Sequence, residues 1–172
     1  MDDASKVPWA TILRDPRFRA IFFFGLASGL PSSLVFATLS IWLREEGLSR
    51  TSIGLIGAAA TPYAINFLWA PFVDRLRLGP LTGRLGQRRS WIMACQLILA
   101  PAVIVMGLQS PQTAALTLGF CALLVSFLSA TQDVAIDAYR VEILKPEEYG
   151  VGAALAIYGW HTGAFLTGAG AL

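Results

Sequence analysis

The sequence predicts an all-α fold, a polytopic bundle of membrane-spanning helices. Three observations predict it. Only 14% of the residues are charged and 55% are hydrophobic, whereas a soluble domain carries about a quarter charged residues. Five apolar segments, about 20–43, 53–73, 90–108, 114–135 and 150–172, each approach the ~20 residues a helix needs to cross the hydrocarbon core. Helices are expected because a lone open strand leaves its backbone groups unsatisfied in lipid.

The first segment follows Lys6, Arg14, Arg17 and Arg19. Such a start resembles a signal peptide, but 20–43 is too long for an apolar region of about 7–15 residues and lacks a small-residue exit. It reads as a retained span. Within it, G-L-A-S-G-L-P-S-S pairs Gly25 with Gly29 and then breaks the helix ladder at Pro31. Two readings stay open: a tight packing seam of small residues, or a kinked helix lining a transport path.

Ser49 is placed to cap the second segment. Asn66 is its one strongly polar side chain at depth. It either bonds a neighbouring helix or faces a substrate path. Trp69, near the end, suits an anchor at the membrane–water interface. The fourth segment is expected to start at Ser110–Pro111, a cap before a proline at the first helical position. Pro146, Glu147 and Glu148 place a proline and two acids in the first turn of the fifth.

The fourth segment ends in S-A-T-Q-D-V-A-I-D-A-Y-R. At about 100° per residue, Asp133, Asp137 and Arg140 fall within about 60° of one another on a helix. An acid at the bilayer centre costs about 2.5–3.5 kcal/mol on insertion scales. Counted from Thr113, however, Asp133 falls in the cytoplasmic third and Asp137 at the inner boundary. They are either a solvated helix end or one side of a cytoplasmic gate that grips Arg75, Arg88 and Arg89. His161, the single histidine, lies in the fifth segment. It either makes a structural hydrogen bond or, with an unperturbed pKa of about 6.5, takes part in proton coupling.

Loop charge gives orientation. The 74–89 loop carries Arg75, Arg77, Arg84, Arg88 and Arg89 against Asp74 alone, while 109–113 carries no charge. The excess of arginine predicts that this loop and the N-terminus are cytoplasmic. Cys95 and Cys121 lie singly in apolar runs, which fits packed thiols. The sequence has no metal-ligand cluster, nucleophile elbow, phosphate loop or nucleic-acid motif. It therefore predicts neither an enzyme nor a cofactor, metal or nucleic-acid partner.

The pair D-R after the second segment and G-Q-R-R before the third is similar to a loosened D-R-x-G-R-R loop of the major facilitator superfamily. S-G-L-P, F-L-W-A-P-F-V-D-R, S-A-T-Q-D-V-A-I-D-A-Y-R and G-A-A-L-A-I-Y-G follow one another in the order seen in AmpG-type muropeptide permeases, and the chain resembles them from about Arg17 onward. The related acetyl-coenzyme A transporters share part of the pattern. The resemblance implies a twelve-helix, two-half transporter in the bacterial inner membrane, of which this chain holds about five helices. It implies proton-driven import of anhydro-muropeptides by alternating access.

On the same resemblance, Gly29, Gln132 and Asp133 fall at motif positions that matter for transport. Asp74, Arg75, Arg88 and Arg89 fall in the superfamily's gating loop. The family pattern often has a lysine where this chain has Asn66 and an arginine where it has His161, so two fixed cations are missing. The expected partners are a small-molecule substrate, protons, the bilayer and the missing C-terminal half. Two other readings stay beside this one: a transporter of another amphipathic anion such as an acyl-coenzyme A, and a truncated membrane protein that does not transport.

Overall fold

The computed structural model describes Ile12 and residues 14–170; Lys6 and the last two residues of the expected fifth span lie outside that range. The described residues form seven helical elements in one packed body. They are α1 (Pro16–Glu45), α2 (Arg50–Leu68), α3 (Ala70–Arg75), α4 (Pro80–Leu85), α5 (Gln87–Gly107), α6 (Ala115–Ile143) and α7 (Tyr149–Gly170). Four of them, α1, α2, α5 and α6, are long and apolar enough to cross a membrane. Large apolar side chains such as Phe23, Leu116 and Phe120 stand exposed on their outer surfaces. A helix that is apolar all round suits lipid on one side and protein on the other.

Local chemistry sets the helix ends. Asp15 caps α1, its Oδ1 accepting from the Arg17 amide at 2.8 Å, with Pro16 in the first turn. Pro31 lies inside α1, and the turn from Leu34 to Thr38 is wound as a π-helix. Proline removes one ladder bond and crowds the preceding turn, and the π-turn follows three residues later. Ser49 caps α2 through a 3.1 Å bond from the Ser52 amide. α2 is interrupted by 3₁₀ turns at Ala58–Ala60, just before Pro62, and at Asn66–Leu68.

Two expected boundaries are corrected. Ser110–Pro111 does not open the fourth span. Residues 108–114 form turns, the Ala114 amide bonding the Ser110 carbonyl at 2.9 Å, and α6 starts at Ala115. α6 also continues to Ile143, beyond the apolar run ending near 135. No proline or glycine interrupts the chain between 135 and Pro146, and the helix persists on a partly solvated face. The 74–89 loop is likewise not open chain. It folds α4 between Gly79 and Gly86, whose φ values of 52° and 82° a side chain would strain.

The packing is organised around two seams. α1 and α7 lie backbone to backbone through two glycine pairs, Gly25 and Gly29 on α1 and Gly159 and Gly163 on α7. A Cβ on Gly29 would stand 2.9 Å from the Trp160 carbonyl carbon, and one on Gly159 would stand 2.9 Å from the Leu26 nitrogen. Only glycine allows this approach on both sides. Ser33 adds a 3.1 Å bond from its hydroxyl to the Ala164 carbonyl. The second seam joins α5 and α6 to α1 and α2 through Val35, Leu39, Leu43, Ile56, Leu99 and Leu118.

The loops sort onto two faces. Asp15, the 76–86 segment and residues 144–148 share one face, where Arg17 reaches Ile143 and Glu148. The 46–49 and 108–114 turns share the other, where the Gln112 amide reaches Glu46 at 3.2 Å.

Candidate functional site

α1, α6 and α7 border an open cleft of roughly 250 Å³ lined in part by Ser28, Asp133, Asp137, Arg140 and Trp160. The α1–α7 glycine seam brings Trp160 there, and the helical spacing of α6 puts its three charges on one face. Asp137 is exposed and pairs with Arg140 at 3.0 Å, one turn along the same helix. Asp133 is about 15 Å of helix from Ile143, taking 1.5 Å per residue. Its Oδ1 is out of contact with solvent and accepts no hydrogen bond among the described residues.

A polar group continues inward from Asp133. Ser126, Ser129 and Gln132 are fully buried. The Ser126 Oγ and both amide atoms of Gln132 find no hydrogen-bond partner among the described residues, and the Tyr63 hydroxyl lies beside that of Ser129. Each such group costs about 1–3 kcal/mol when left unpaired. Buried polar atoms are normally bonded, so a cluster of exceptions is a candidate site. In a membrane-spanning helix, a buried acid beside such a cluster is the first candidate for a functional site.

The charged face below corrects the expected gate. Asp133 and Asp137 do not hold Arg75, Arg88 or Arg89. Arg88 is held by Asp74 on α3 and, at 2.8 Å from its Nε, by Glu142 on α6. The Arg89 guanidinium donates to the Tyr139 hydroxyl at 2.7 Å and lies 5.3 Å from that ring's centroid. Arg75 is exposed and its side chain makes no hydrogen bond among the described residues. The reason is reach: the acids at 133 and 137 sit on the α7 side of α6, whereas Tyr139 and Glu142 point toward α5.

A separate cluster ties α1 and α6 to the 3₁₀ turn Pro146–Glu148 that leads into α7. Arg17 donates to both carboxylate oxygens of Glu148 at 3.1 Å, to the Ile143 carbonyl at 3.0 Å and to Asp15. Glu148 also accepts from the Lys145 amide at 2.9 Å, and that bond and Arg17 hold its carboxyl below the usual glutamate range. Arg17 beside Asp15 holds that carboxyl low as well.

The remaining expected site residues are dispersed. Gly29 lies in the α1–α7 seam. Asn66 is half-buried at the break in α2, where its carbonyl accepts from the Trp69 amide at 3.2 Å; its side chain makes no hydrogen bond among the described residues. Trp69, at the joint between α2 and α3, packs on α6. Its Nε1 donates to Thr131 at 3.1 Å and its ring packs 4.9 Å from that of Phe127, locking α2 to α6. His161 is exposed on α7, with Nδ1 2.9 Å from the Ile157 carbonyl and its ring edge-on to Trp160.

Sequence reasoning missed Ser28, Tyr63, Ser126, Ser129 and Trp160 in and behind the cleft, and Tyr139 and Glu142 at the charged face. The serines carried a usable signal. Ser126, Ser129, Asp133, Asp137 and Arg140 repeat at helical spacing as one polar stripe in an apolar helix.

An apolar bundle with one polar stripe, one buried acid and an arginine-clamped loop is part of a multi-pass helical membrane protein. A family model described as acetyl-coenzyme A transporter 1 matches residues 18–115, more than half of the chain, and the chain belongs to that family. It is 35% identical over 161 residues to putative transporter AmpG 4 of Rickettsia conorii, an alignment covering 94% of this chain and 39% of the relative. It is equally 35% identical over 161 residues to the anhydromuropeptide permease of Escherichia coli K12, covering 94% and 32%. An uncharacterized protein of Haemophilus influenzae is 38% identical over 146 residues, covering 85% and 33%. The chain thus spans about a third to two fifths of the length of the curated relatives it matches.

Proposed function

We propose that the full-length protein imports anhydro-muropeptides across the bacterial inner membrane by proton-coupled alternating access. Its N-terminus and the α3–α5 connection are cytoplasmic, and α7 is a fifth span. The observation that carries the transport reading is the buried Asp133 beside the unpartnered Gln132, within a chain 35% identical to an anhydromuropeptide permease. Polar atoms left unpaired in one state are available to bind polar cargo or a proton in another.

In this reading the polar stripe of α6 faces the translocation path, and the remaining length of the relatives supplies the opposing half. Asp133 exchanges a proton as the cleft opens alternately to either side. Arg88, held by Asp74 and Glu142, keeps α3, α5 and α6 moving as one unit, so that rocking occurs about the path and not within this bundle. The tie of Arg17 to Glu148 and Ile143 does the same for α1, α6 and the turn that leads into α7.

The test is uptake of labelled anhydro-muropeptide by the full-length protein in a permease-deficient strain, with and without a protonophore. Protonophore-sensitive uptake above empty vector is expected. Uptake no better than vector, with the protein present in the membrane, sinks the substrate assignment. A second reading, transport of an acyl-coenzyme A, is favoured by the description of the matching family model. Uptake of labelled acetyl-coenzyme A in the same strain decides between them.

A further inference from the structure

The face opposite the Arg88 cluster carries two arginines that the transport reading does not use. The end of α1 and the start of α2 enclose an open groove of roughly 460 Å³, lined by Ser40, Ile41, Arg44, Leu48, Arg50 and Ile53. Arg44 lies in the last turn of α1, and Arg50 opens α2. We propose that this groove binds the headgroup of an anionic phospholipid, with the two guanidiniums on the phosphate and an acyl chain along Ile41, Leu48 and Ile53.

Four observations carry the assignment. Neither arginine forms an ion pair among the described residues, although two acids, Glu45 and Glu46, stand in the same turn. Glu46 is directed elsewhere: its carboxylate and its carbonyl both accept from the Gln112 amide, at 3.2 and 3.3 Å. Glu45 does not line the groove. Finally, α1 and α2 are both long enough to cross a bilayer, which puts their shared end at the level of lipid headgroups.

The chemistry then selects an amphiphile. Two arginines line the same groove, and a planar guanidinium binds phosphate bidentately, which a lysine does not. A free inorganic anion uses the arginines but leaves the apolar wall wet. A neutral lipid tail uses the wall but leaves the arginines without a counter-charge. An anionic phospholipid satisfies both, and basic groups at a membrane surface favour such lipids. The proposal depends neither on the transported substrate nor on which face is cytoplasmic.

The test uses the full-length protein in nanodiscs, with the photo-crosslinker p-benzoylphenylalanine placed at Ile41. Tritiated phosphatidylglycerol and tritiated phosphatidylcholine are compared as probes. Phosphatidylglycerol is expected to label more strongly by about fivefold per arginine, following the usual attraction of a basic residue to anionic lipid. The R44Q/R50Q variant is expected to lose that preference while remaining monodisperse. Should that variant aggregate, Arg50→Gln alone, at an exposed position, is expected to lose about half of the effect on a logarithmic scale. Equal labelling by the two lipids overturns the proposal, as does an unchanged preference in the variants. Displacement of the label by inorganic phosphate overturns it in favour of a small-anion site.

Discussion

Gly29 and Trp160 meet backbone to backbone, so closely that a single added methyl group would stand 2.9 Å from the Trp160 carbonyl carbon. This contact draws α7 against α1 and brings Trp160 to the wall of the cleft that holds Asp133. Packing and site are therefore one arrangement at this point. Gly29→Ala should destabilise the detergent-solubilised full-length protein by about 1–3 kcal/mol, the usual cost of overpacking. Gly54→Ala, where an added Cβ meets nothing within 4 Å, should be neutral or stabilising by up to about 1 kcal/mol through helix propensity. Thermal unfolding of the two variants checks the contrast. Equal shifts would remove the seam from the account.

Gln132 offers a separation of stability from function. Both of its amide atoms are buried and unpartnered. Gln132→Leu keeps the volume and removes the unpaired groups, so stability should hold or rise by about 1–3 kcal/mol. Uptake should nevertheless fall at least tenfold if that amide contacts cargo. A variant that loses stability and keeps uptake would show that Gln132 is merely structural.

Asp133→Asn should impair uptake without preventing insertion, because the substitution keeps the shape and removes the titratable group. Wild-type uptake by this variant would reduce Asp133 to a buried acid without a role.

The charged face makes a prediction that the sequence alone placed on the wrong acid. Arg88 is held by Glu142 at 2.8 Å, whereas Asp137 pairs with Arg140 alone among the described residues. Glu142→Gln should therefore couple to Arg88→Gln in a double-mutant cycle, by about 0.2–1 kcal/mol for a half-exposed pair. Asp137→Asn should show no coupling to Arg88→Gln. Coupling to Asp137 instead would restore the pairing expected from the sequence.

Acid should loosen the Arg17 cluster. Glu148 and Asp15 both have lowered folded pKa values, Glu148 from an ordinary 4.5 and Asp15 from 3.8, chiefly through their bonds to the Lys145 amide and Arg17 respectively. A depressed carboxyl contributes stability that is complete above its ordinary value and is lost as pH falls through the lower folded value. Amide hydrogen exchange at Lys145 should accelerate beyond its intrinsic pH trend as pH drops below about 4.5. In Glu148→Gln that acceleration should be absent.

Much of the fold was legible because lipid imposes a simple rule. A chain with so little charge must bury its backbone in helices of about 20 residues, and the apolar runs mark where those helices lie. The cap at Ser49 and the turn at Pro146 were legible for the same local reason: each depends on neighbours within four residues. The end of α6 was not, because residues 136–143 are helical through packing of Ile136 and Tyr139, not through hydropathy.

By itself, the sequence determined the class of protein, the shared helix face of Asp133, Asp137 and Arg140 and the positions of the arginine-rich and uncharged loops. Periodicity and composition are properties of the chain. Only the tertiary structure decided which acid holds Arg88, that Trp69 locks α2 to α6, that Gly29 serves the seam with α7, and that Gln132 is left without a partner. Each of those facts depends on which helix lies opposite, and a helix facing two neighbours can satisfy its polar groups with either one.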